Sequence, residues 1–133
     1  MYKNVQADNL FDIDSLKEGE LCNVSILARN IDNDDVDNDY TDKVEKITEE
    51  EIIFSNTEDQ YSYQTIIHYY DRINNIFYYL ERTVSNRWVV FKWTVNEYEE
   101  LYEEVIDWFN GDGTSTPEHV ISIAKDEKVF NFT

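Results

Sequence analysis

Apolar and polar residues alternate with a period of two in some stretches of this chain and recur at helical spacing in others. In residues 20–30, ELCNVSILARN, the side chains of Cys22, Val24, Ile26 and Ala28 fall on one side and Asn23, Ser25 and Arg29 on the other. That repeat marks a half-buried strand. EIIFS at 51–55 is short, apolar and β-branched and reads as another strand. YSYQTIIHYY at 61–70 and NIFYYLER at 75–82 are rich in residues that favour a pleated surface. A helical reading of 61–70 stays open, because a short aromatic run has no decisive period. TVSNR then reads as a turn into WVVFKWTV at 88–95, which predicts a hairpin with the strand before it.

The period changes after Asn96. Tyr98, Leu101, Tyr102, Val105, Trp108 and Phe109 recur at i, i+3, i+4, i+7, i+10 and i+11, the stripe of an amphipathic helix over about 97–109. Asn96 fits as N-cap with Glu99 completing a capping box, and Gly111 as the C-terminal stop. The opposite side of such a helix would carry Glu97, Glu99, Glu100, Glu103, Glu104 and Asp107 with no base among them. Like charges at these spacings repel by a few tenths of a kcal/mol per pair, which burial of the stripe must offset. Further on, Thr116-Pro117-Glu118 looks like a helix start, whereas VISIAK and VFNF look strand-like. The expectation there is a short helical turn and then a terminal strand. The fold class expected is α+β: one domain over 1–133, a mostly antiparallel sheet of four to five strands packed by the acidic helix.

Composition sharpens this picture chiefly through charge. The 133 residues are 41% hydrophobic and 15% aromatic, enough for one core and against wholesale disorder. The formal net charge is −18, from 29 acids and 11 bases, a self-repulsion that costs stability. Such a chain repels phosphate, which argues against direct binding of nucleic acid or of an anionic membrane. The charge is also unevenly placed. Residues 31–60 carry twelve acids and two bases, and 94–133 carry ten acids and two bases. Between them, 61–93 carries two acids and four bases, together with six of the ten tyrosines and both Trp88 and Trp93. The core is expected in that middle, with acid displayed from elements packed around it.

The densest acidic stretch is IDNDDVDNDYTD at 31–42, with Asp at six of twelve positions. A calcium loop of the EF-hand kind needs Gly at position 6 and a bidentate Glu at position 12. The best register starts at Asn33 and puts Asn38 and Val44 in those places. No register supplies both, so a dedicated EF-hand is rejected. Alone the stretch reads equally well as a solvated loop. Beside a second lysine-free acidic block, it reads as half of a negative surface.

Little else points to chemistry. Cys22 is the only cysteine, so neither an internal disulfide nor a Cys-based zinc site is available. It sits in an apolar strand pattern as a small hydrophobe. His68 lies in an aromatic run and reads as a core residue; His119 follows a helix start and reads as exposed. No GxSxG, Walker-type or GxGxxG loop occurs, and three glycines leave little backbone to cradle a phosphate. Neither cofactor nor metal is expected, and enzymatic activity is not. The N-terminus has no basic start followed by an apolar run, and no stretch has the length of a membrane span, so a cytoplasmic protein is expected.

The function these residues suggest is an acidic, protein-binding inhibitor that occupies the basic nucleic-acid-binding surface of a partner. Its binding residues would be Asp32, Asp34, Asp35, Asp37, Asp39, Tyr40 and Asp42 from the loop. Glu97, Glu100, Glu103, Glu104 and Asp107 would supply the rest. Carboxylates stand in for phosphates, an exposed tyrosine anchors or mimics base stacking, and the field speeds association. In size, acidity and Asn/Ile/Tyr/Glu-rich composition, the chain resembles the small phage-encoded DNA-mimic inhibitors of the anti-CRISPR and antirestriction type. That resemblance implies a Cas effector or restriction complex as partner, encountered in the host cytoplasm. An immunity protein neutralising a basic nuclease toxin would need the same surface. A small metal-dependent hydrolase and a protein whose charge serves only solubility are the readings from other classes.

Overall fold

The computed structural model describes residues 3–4, 15–22, 42–56, 66–83, 86–98, 101–113 and 116–130. Among these the chain forms β1 (Lys3–Asn4), β2 (Leu21–Cys22), β3 (Asp42–Ile47) and β4 (Glu51–Asn56). β5 (Ile66–Asp71), β6 (Ile76–Arg82), β7 (Arg87–Val95), β8 (Leu101–Asn110) and a single helix, α1 (Pro117–Asp126), follow. Every strand pair is antiparallel. The strands run in the order β7, β6, β5, β4, β3, β2, and β7 is flanked in addition by β8 and, at Thr94 and Val95, by β1.

Short polar turns set this meander. Between β5 and β6, Asp71 Oδ1 accepts the backbone N–H of Ile73 and Asn74 at 3.0 and 3.2 Å. Asn75 closes that turn at φ +57°, a left-handed conformation Asn tolerates well. Between β6 and β7, Thr83 N–H donates to the Arg87 carbonyl at 2.8 Å while Asn86, also at φ +57°, reverses the chain. The hairpin expected from 75–82 and 88–95 is this β6–β7 pair, with Leu80 opposite Val90 and Tyr79 opposite Phe91.

Because successive strand residues point to opposite faces, the central strands feed two cores. Ile53, Ile67, Tyr69, Ile76, Tyr78, Leu80, Trp88 and Val90 build one; Ile52, Phe54, Tyr70, Phe77 and Trp93 build the other with Val44 of β3. Each fully buried side chain of this size contributes about 1.5–3 kcal/mol. α1 covers the first core. Pro117 presets its first turn, Glu118 and Lys125 oppose the helix dipole ends, and Val120, Ile121 and Ala124 are buried against the sheet. The Lys125 ammonium donates to both Glu51 carboxylate oxygens, at 2.6 and 2.8 Å, and lies 5.7 Å from the Tyr69 ring centre. Beyond the helix, Phe130 stacks on Tyr69 with ring centres 4.7 Å apart.

The structure corrects the α+β expectation in three places. The sheet has eight strands among the described residues rather than four to five. The segment expected as an acidic helix over 97–109 is instead a turn and β8. α1 starts at Pro117, where a helix start was expected, but runs on through VISIAK to Asp126, where a terminal strand was expected. Strand propensity of Val and Ile lost there to Pro117, to one apolar face, and to the Lys125–Glu51 tie. Most of the strand pattern at 20–30 lies outside the described residues, which include only Leu21 and Cys22 as β2.

Candidate functional site

The hairpin from β7 to β8 explains why the helical period misled. Asn96 Oδ1 accepts the Tyr98 backbone N–H at 2.8 Å, so Asn96 shapes a turn rather than capping a helix. β8 then runs back along β7 with Thr94 opposite Tyr102, Trp93 opposite Glu103, Lys92 opposite Glu104 and Phe91 opposite Val105. The next pair is Val90 with Asp107, so Ile106 is an extra residue, a bulge. Past it, Val89 faces Trp108 and Trp88 faces Phe109. One inserted residue shifts the phase of a period-two pattern, and the apolar positions on either side then mimic i, i+3, i+4 spacing.

The bulge also sorts the acids. Directly opposed residues share a sheet face. Glu104 and Asp107, opposite Lys92 and Val90, therefore project from the same face as Tyr102. Glu103, Val105 and Trp108 project from the other. Glu103 Oε1 accepts the indole N–H of the buried Trp93 at 3.2 Å, which anchors that carboxylate to the core. Glu104 stands across from Lys92, and Asp107 Oδ1 accepts its neighbour Trp108 N–H at 2.8 Å. The Arg87 guanidinium lies 4.8 Å from the Trp108 ring centre, a cation–π contact. Glu103, Glu104 and Asp107 are all exposed, as is Glu97 in the turn.

Three large side chains on this strand are exposed as well: Tyr102 at 40%, Val105 at 50% and Trp108 at 43%. The sequence pattern assigned them to a buried stripe. The signal against that was residue type, since Tyr102, Val105, Ile106, Trp108 and Phe109 are all strand formers. Phe109 alone among them is buried, stacked over Trp88 with ring planes 8° apart. At the start of β8, Thr94, Tyr102, Glu103 and Glu104 line a cavity of about 220 Å3. β8 thus offers carboxylates and apolar surface side by side, with Lys92 and Arg87 as its basic neighbours.

The other sequence-derived candidates lie elsewhere. Asp32, Asp34, Asp35, Asp37, Asp39, Tyr40 and Glu100 fall outside the described residues. Asp42 is buried at the start of β3, with Oδ1 3.2 Å from His68 Nδ1, and so faces the sheet interior. The His68 ring meets those of Tyr79 and Trp93 edge-on, on the face opposite α1. His119 belongs to α1, where Nε2 is 2.6 Å from Asp112 Oδ2 and both side chains are half exposed. The two histidines therefore occupy opposite sides of the sheet and share no site. Among the described residues no group of three or more His, Cys, Asp or Glu side chains could hold a metal ion.

Cys22 pairs with Asp42 across β2 and β3. Burial first, and then the charges of Asp42 and Glu20, push its thiol from 9.0 up to about 12. That disfavours the thiolate, which is the reactive form. Burial likewise raises the Tyr69 phenol, with Glu51 and Asp71 adding to it. No helix among the described residues is long and apolar enough to cross a membrane. No protein-family model matches the chain, and neither a curated protein nor a solved structure matches it.

Proposed function

We propose that this protein is an acidic binding inhibitor that acts in the cytoplasm and occupies the basic, nucleic-acid-binding surface of a partner protein. The observation that carries the reading is β8. On one ten-residue strand, Glu103, Glu104 and Asp107 stand exposed among exposed Tyr102, Val105 and Trp108. Exposed carboxylates recover the cost of a −18 net charge when they meet a basic surface. Aromatic side chains beside them supply contact area, since tyrosine and tryptophan dominate the energetics of interfaces. Glu104 and Asp107 project from one face on either side of the bulge and Glu103 from the other, so β8 presents carboxylates on both faces of an extended backbone. The acids of 31–39 would enlarge the field that steers a basic partner in.

The test is competition. A basic nucleic-acid-binding protein captured from host lysate, a nuclease or a host-defence effector, should elute as salt rises and be displaced by duplex DNA. Replacement of Glu104 and Asp107 by Gln and Asn should weaken capture by about tenfold and flatten its salt dependence. Capture indifferent to salt, to DNA and to those substitutions contradicts the reading.

A further inference from the structure

We infer that β8 is a docking edge that accepts an extended basic segment of the partner as an added antiparallel or parallel strand. This rests on the acidic-surface reading and specifies how contact is made. Among the described residues β8 pairs with β7 alone, and it is the longest strand of the sheet. The far edge is the two-residue β2. An edge strand presents a row of unpaired N–H and C=O groups, which proteins usually blunt by shortness, charge, proline or a bulge. LYEEVIDWFN is long and contains neither lysine nor proline. The bulge at Ile106 interrupts it once, and its charge is acid, which repels another acidic edge but not a basic segment.

The side chains define the occupant. One face of β8 offers Glu104 and Asp107, and the other offers Val105 and Trp108 beside Glu103. The complementary strand carries Lys or Arg on the first face and apolar residues on the second, since opposed charges and apolar pairs stabilise cross-strand neighbours. The cavity between Thr94, Tyr102, Glu103 and Glu104 gives one basic side chain a seat on the face that carries the Glu104 carboxylate. A second copy of this chain is a poor occupant, because it brings another −18 and another three carboxylates to the same ladder. Strand addition takes its affinity from main-chain hydrogen bonds and its selectivity from alternate side chains.

The probe is an acetylated eight-residue peptide of alternating Lys and Val, compared with a twin of equal charge N-methylated at alternate amides. Isotope-labelled full-length protein is titrated with each at low salt, and amide exchange along β8 is followed. The expected result is about tenfold or more weaker binding of the twin. The parent peptide alone should slow exchange at the β8 amides that face away from β7. Equal affinities with no slowing overturn strand addition while leaving the acidic-surface reading intact. Failure of both peptides to bind at low salt overturns the two together.

Discussion

β5 and β8 use similar residue types to opposite ends. IIHYYD, at the centre of the sheet, is buried from Ile67 to Asp71. LYEEVIDWFN, paired among the described residues with β7 alone, buries Phe109 and leaves Tyr102, Val105 and Trp108 open. The central strand has a hydrogen-bonded neighbour on each side and a core on each face. Its buried imidazole, His68, lies with Nδ1 3.2 Å from Asp42 Oδ1, a close approach without hydrogen-bond geometry. The carboxylates of β8 at Glu103, Glu104 and Asp107 are exposed instead. Among the described strands the exposed acids are Glu103, Glu104 and Asp107, all on β8, which makes this strand the place where acid and apolar surface meet.

The sharpest way to break that contrast is to remove one large side chain from each region. Phe77→Ala, in the core beneath β6, should cost about 3–5 kcal/mol in urea unfolding. Trp108→Ala on the edge strand should cost about 1 kcal/mol or less, because the residue is 43% exposed and its ring packs against Arg87. Comparable losses would mean that β8 is covered.

Where the edge strand leaves the sheet, space becomes tight. A Cβ on Gly111 would lie 2.9 Å from Trp88 Nε1 and 3.0 Å from Asn86 Oδ1, and Trp88 is fully buried. Gly111→Ala should therefore destabilise by about 1–3 kcal/mol through overpacking, readable as a lower Tm. A neutral result would place the end of β8 away from the core.

Alkali probes the interior from another direction. The Cys22 thiol is raised to about 12 by burial, and the Tyr69 phenol is raised too. Between pH 9 and 12 the folded chain then holds protons that the unfolded chain has lost, so stability falls as pH rises through that window. Cys22→Ala should remove part of the fall above pH 9. At pH 8 the native thiol should react with a disulfide reagent on the order of a hundredfold or more slower than a free thiol.

The smallest expected effect concerns the edge itself. Glu104→Gln with Asp107→Asn should change stability by within about 0.5 kcal/mol. The same pair should alter partner capture strongly, which separates a binding role from a folding one.

How much of this was readable in the sequence depended on whether the period survived. The strands at 51–56, 76–82 and 87–95 keep an unbroken repeat of two or an all-apolar run, and they stand where the pattern puts them. β8 could not be read the same way, because the bulge at Ile106 breaks its phase and an Asn–x–x–Glu sequence imitates a capping box. β3 was hidden for another reason. Only Val44 is a buried apolar residue there, flanked by Lys43 and Glu45, and the Asp42 that begins the strand looked like the end of an acidic loop. α1 was obscured by Val120, Ile121 and Ile123, whose preference for strands yields to a packed face. The acids at 103, 104 and 107 are plain in the sequence, whereas their placement on an edge strand among exposed apolar residues follows only from the register of the hairpin.

The most direct measurement is residue-by-residue amide exchange along 97–110 in the free protein. The account predicts slow exchange at alternate β8 amides that bond β7, fast exchange at those between them, and a slip in that alternation at Ile106. Continuous protection from 99 to 109, as a helix would give, or slow exchange at every β8 amide, as a covered strand would give, contradicts it.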